Sequence, residues 1–137
     1  MPKQIAHIGN ILFSLCVLVS CNSPKRIFIE DILGGWTISE FISRESIDFT
    51  SGDLIFISED SCSVPLLREM PLHSTEGHWK VIQSSPPIIE IECQDTIFSG
   101  IWEIRNIKRS HVPQHARFIR SFELYQPNIS FTFERLF

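Results

Sequence analysis

The feature that most restricts the fold of this 137-residue chain is alternation at period two. In "IIEIEC", Ile89, Ile91 and Cys93 fall on one face, with Glu90 and Glu92 on the other. In "ISFTFERLF", Ile129, Phe131, Phe133, Arg135 and Phe137 oppose Ser130, Thr132 and Glu134. Successive side chains of a strand point to opposite faces, so this pattern predicts sheets with one dry and one wet side. Similar runs recur from Trp36 onward ("WTISEFI", "DLIFIS", "GHWKVI", "FSGIWEIRNI", "RFIRSFELY"), with turn signals such as "SGD", "SSPP" and "QPN" between runs. About seven or eight strands in succession predict an all-β domain over residues 34–137. The expected architecture is a small antiparallel up-and-down meander, closed into a barrel or folded as a sandwich. The longest gap, "DSCSVPLLREMPLHSTE", is expected to be a loop or lid carrying a short helix.

Ahead of the strands, "SPKRIFIEDILGGW" predicts a short helix within a linker of residues 21–33. Ser23 suits the cap, Pro24 the first helical position and Gly34 the end, and an extended segment is the alternative. Further upstream, Lys3, the uncharged "ILFSLCVLV" and Ser20 before Cys21 follow the charged, apolar, small-residue order of a secretory signal. The apolar run is well short of the roughly 20 residues that span a bilayer as a helix. Residues 1–20 are therefore expected to be a cleaved signal peptide. In an exported domain the remaining even pair, Cys62 and Cys93, predicts a disulfide. In a meander the loop after "DLIFIS" would fold across the end of "GHWKVI" to bring Cys62 to Cys93. Two free thiols, with Cys93 buried beside Ile89 and Ile91, are the alternative.

Two short motifs carry family resemblances. Leu18-Val19-Ser20-Cys21 resembles the lipobox of bacterial lipoproteins, which implies acylation of Cys21 and attachment to the cell envelope through its acyl chains. With Asn22 and no acidic residue directly after the cysteine, the implied place is an outer-membrane anchor facing the periplasm. Gly34-Gly35-Trp36 resembles the G-x-W that opens the first strand of lipocalins and of small lipocalin-like bacterial lipoproteins. "EGHWKVI", "FSGIWEI" and "FTFERLF" are similar to the same group. The resemblance implies a barrel whose floor is closed by Trp36 under an arginine of the last strand, the position of Arg135.

The formal net charge of −4 argues against a dedicated nucleic-acid binder. No G-x-S-x-G elbow, phosphate loop or H-E-x-x-H is present. His111 and His115 are separated by Pro113, and His73 and His78 add no established zinc-ligand spacing. Neither catalysis, a metal nor a cofactor is expected. Between Arg105 and Arg120 the sign reverses: Arg105, Lys108, Arg109, Arg117 and Arg120 occur with no acid among them. Alternation places Arg120 on one face with Phe118, Phe122 and Leu124, where an unpaired charge is costly. Glu40 is one possible partner. In fatty-acid-binding relatives of lipocalins an interior arginine holds the ligand carboxylate, so the resemblance implies a ligand site of Arg120, Phe118, Phe122 and Trp102. The expected function is a membrane-anchored envelope lipoprotein binding a small amphipathic ligand in its barrel. The alternative is a non-enzymatic protein-interaction or structural module of an envelope complex, with a filled barrel.

Overall fold

The computed structural model describes residues 23–69, 74–110 and 118–136. The expected signal peptide, Cys21, His73, His111, His115 and Arg117 lie outside the described residues. The first element is a helix, α1 (Pro24–Ile32), started by the Ser23 side chain accepting from the Arg26 amide at 3.2 Å. Phe28, Ile29 and Ile32 form its buried stripe, at a spacing that puts them on one helical face. The helix therefore belongs to the domain core.

The strands are β1 (Gly34–Ser43), β2 (Phe49–Ser51), β3 (Asp53–Phe56), β4 (Ser61–Ser63), β5 (Leu66–Leu67), β6 (Glu76–Ser84), β7 (Pro87–Cys93), β8 (Gly100–Arg109), β9 (Ile119–Gln126) and β10 (Ile129–Arg135). Eight of them close a barrel in the order β1-β10-β9-β8-β7-β6-β4-β3, every neighbouring pair antiparallel. Closure comes where Gly34–Thr37 of β1 pairs back onto β3. The architecture is compatible with a lipocalin-like fold, and the sandwich alternative is not formed. The expected helix in the long gap is not there among the described residues. That stretch holds β4, which bridges β3 to β6, and β5, which pairs with β2 as a separate two-stranded sheet. Strands of two or three residues are too short to show a period.

Side chains fill the barrel. Trp36, Leu54, Ile89, Trp102, Leu124, Phe131 and Phe133 are 0 % exposed, so neither solvent nor a water-sized void touches them. Each such side chain contributes about 1.5–3 kcal/mol relative to exposure. The rings interlock: Phe122 meets Trp36 edge-on at 4.6 Å, and Phe131 lies 4.8 Å from Phe98 and 5.9 Å from Trp102. At one end α1 plugs the barrel. At the other, the β2–β5 sheet lays Phe49 against Phe41, Phe98 and Phe131. The fully buried core lies between Phe28 and Phe133.

Candidate functional site

The end closed by α1 is built around Arg135, which stands across from Trp36 in the β1–β10 register. Its guanidinium carbon sits 4.1 Å from the Trp36 ring and 4.3 Å from the Phe118 ring, one charge between two aromatic faces. Such stacking is worth roughly 0.5–2 kcal/mol per ring, depending on desolvation. The same guanidinium donates to the carbonyls of Ile119, Leu33 and Asp31 at 2.9–3.0 Å. Trp36 Nε1 donates to the Ile32 carbonyl at 2.9 Å. The last carbonyls of a helix have no partner within it, and here side chains of β1 and β10 supply the donors. Burial pushes the Arg135 guanidinium below the ordinary arginine range, and the Asp31 carboxylate partly offsets that. Asp31 also pairs with Arg109 at 3.3 Å. Gly34 permits the approach: its φ is +116°, and a Cβ there would lie 2.9 Å from Arg135 Nη1.

A second corner of the same design sits at the opposite end. Gly100 has φ +125°, and two residues on Trp102 donates its Nε1 to the Phe98 carbonyl at 2.8 Å, four residues back as in Trp36–Ile32. The strand that meets this corner supplies Gln126, whose Nε2 bonds the Ile101 carbonyl at 2.9 Å. Sequence inspection passes over this repetition, although "GGW" and "GIW" share the Gly-x-Trp spacing that signals it.

Among the described residues the expected ligand set is not assembled around a cavity. Trp102 and Phe122 are interlocked core residues, and Phe118 is a partly exposed ring on Arg135. Arg120 is exposed on the outer surface. The alternation that placed it inside is broken at a bulge. The β8–β9 register shifts between Arg105 and Arg109, and Ser121 and Phe122 are buried in succession. Asn106, at φ 52°, occupies the left-handed conformation that asparagine tolerates in such a bulge. Glu40 is exposed opposite Thr132 and makes no ion pair among the described residues.

The expected Cys62–Cys93 disulfide is also absent, and both thiols are free. Cys62 lies within β4 and not in a loop. Both cysteines stand opposite Gly77 of β6, one on each side, which keeps their backbones two strands apart. That separation is roughly 9.5 Å at normal strand spacing, beyond the usual reach of a disulfide. Burial, and to a lesser degree Cys93, pushes the Cys62 thiol up to about 12. Burial also raises Cys93, against hydrogen bonds to Ser99 and the Asp95 carbonyl. A surface groove of about 560 Å³ runs beside Gly77, lined in part by His78 and Glu92. Among the described residues no three His, Cys, Asp or Glu side chains are grouped to hold a metal ion, and no helix is long and apolar enough to cross a membrane.

Comparison of the chain with protein families, with curated proteins and with solved structures gives no match.

Proposed function

We propose that this chain is a lipid-anchored protein of the bacterial cell envelope whose filled, lipocalin-like barrel serves as an interaction or structural module. The observation that carries this choice over a ligand carrier is the packed interior, where Trp36, Trp102, Phe131 and Phe133 occupy the space a ligand would need. Binding sites for small molecules are clefts or cavities of roughly 300–1,000 Å³ that enclose most of the ligand. The outward position of Arg120 removes the carboxylate partner on which the carrier reading relied. The lipobox resemblance at Leu18–Cys21 supports attachment through acyl chains on Cys21 after removal of residues 1–20. Two or more chains, at about 0.8 kcal/mol per buried methylene, give stable anchoring. Asn22 and Ser23 alone separate Cys21 from α1, so the barrel would be held close to the membrane surface.

Titration of the purified protein with a fluorescent fatty acid tests the choice. The expected result is no saturable uptake, and one-to-one uptake that quenches tryptophan emission would restore the carrier reading. Cys21→Ala should abolish palmitate labelling and release the protein from membranes. Retention with labelling intact would sink the anchor.

A further inference from the structure

We infer that the α1 end of the barrel is a docking face for a bilayer carrying anionic phospholipids. The inference rests on the anchoring reading for its setting, but it is carried by different residues. Of the nine large apolar side chains exposed among the described residues, five ring this end: Ile27, Ile57, Ile82, Phe118 and Leu136. Ile27 is on α1 itself. Ile57, 62 % exposed, stands at the β3–β4 turn that α1 reaches through Arg26–Glu59. Ile82 lies near the end of β6, and Phe118 and Leu136 flank the Arg135 stack on β9 and β10.

Cations are interleaved with these side chains. Lys25, Lys108 and Arg120 are exposed and make no ion pair among the described residues, whereas Arg26 and Arg109 are paired to Glu59 and Asp31. Lys108 and Arg120 border a cleft of about 280 Å³ with Ser121, Glu134 and Arg135. Apolar side chains among cations are what an interfacial surface requires. The apolar groups reach the acyl boundary while the cations meet headgroup phosphates.

The far end is the more acidic: Glu45, Asp48, Glu69, Glu76 and Glu92 are exposed there against Arg44 and Arg68. At the α1 end Glu30, Glu59, Asp60 and Glu134 are outnumbered by Lys25, Arg26, Lys108, Arg109 and Arg120. An anionic surface therefore repels the far end and favours the α1 end over it. The chain also enters the fold at this same end, where the segment up to residue 22 joins Ser23. Anchor, apolar ring and unpaired cations then act on one side of the molecule, and the acidic end faces away.

The test uses the mature chain from residue 21 carrying Cys21→Ser, which retains the whole described core and has no acyl chain. It is sedimented with vesicles of phosphatidylcholine alone or mixed with phosphatidylglycerol. The expected result is association with the mixed vesicles only, weakening as salt is raised. Combined Lys25→Gln, Lys108→Gln and Arg120→Gln should lower that affinity by about a hundredfold, at roughly fivefold per charge. Ile57→Ser, which removes an apolar contact and no charge, should weaken it at every salt concentration. Equal binding to both vesicles, indifference to the triple substitution, or no binding would overturn the inference. So would self-association through this end, seen as a dimer that Ile57→Ser dissolves. Because no acyl chain is involved, failure here leaves the Cys21 result untouched, and failure of the Cys21 result leaves this one standing.

Discussion

At Gly34–Trp36 the corner is met by Arg135, a charge that stacks on two rings and donates to three carbonyls. At Gly100–Trp102 the same turn is met by Gln126, a neutral amide with one hydrogen bond to the Ile101 carbonyl. Both tryptophans bond a carbonyl four residues back and both leave a wholly buried ring in the barrel. The difference lies in what holds the closure. One end is fastened by directional, charge-assisted bonds to a helix, and the other by aromatic packing under a two-stranded sheet.

The comparison is broken first by deleting its two fasteners. Arg135→Leu leaves the carbonyls of Asp31, Leu33 and Ile119 without their donor, and bonds to a charged group are worth about 1.5–3 kcal/mol each. Urea denaturation should show a loss of about 3–5 kcal/mol. Gln126→Leu should cost about 1 kcal/mol. Equal losses would mean that the two ends are held alike.

The two glycines separate the ends next. Either Gly→Ala substitution places a side chain at a left-handed φ, at a cost of about 1–3 kcal/mol. At Gly34 the new Cβ would also press on Arg135 Nη1 at 2.9 Å, and that group is pinned by its bonds. At Gly100 the nearest group is Gln126 Nε2 at 3.3 Å. Gly34→Ala should therefore be the more damaging in thermal unfolding, and the reverse order would place the tighter closure at the wrong end.

A smaller effect belongs to the wall between the ends. Cys62 is raised to about 12 from an ordinary thiol value of 9.0, so the folded protein holds this proton more tightly than the unfolded chain does. That contribution is complete below pH 9 and is lost as pH rises toward 12. The melting temperature of the parent protein should fall more steeply over this interval than that of Cys62→Ala. Parallel slopes would show that the thiol is not buried as described. Least of all should Arg68→Ala matter. Its pair with Asp48 is 67 % and 62 % exposed, and such pairs contribute about 0–1 kcal/mol.

Much of this was legible in the sequence, for reasons that differ by element. The long strands declared themselves by alternation, and α1 by Ser23, Pro24 and an apolar stripe. Arg135 could be placed because it continues the inward phase of Phe131 and Phe133 on β10. Arg120 is misplaced by simple alternation because the Lys108–Ser121 and Arg109–Ile119 pairs leave it as an extra residue on β9 itself, and a bulge turns the side chains on its two sides out of phase. Counting cysteines cannot reveal that Gly77 stands between them. The second corner was written in "FSGIW", but its meaning depends on a glycine torsion and an indole bond that composition does not carry.

The most direct test of a barrel filled and sealed at both ends is hydrogen exchange of its indole N–H groups, followed by nuclear magnetic resonance. Trp36 and Trp102 bond main-chain carbonyls from buried positions at opposite ends. Both should exchange only at the rate that global unfolding allows, with urea dependence equal to that of the whole molecule. Exchange of either indole through an opening well below the global free energy would contradict the account, because a barrel that opens at one end has an interior to offer.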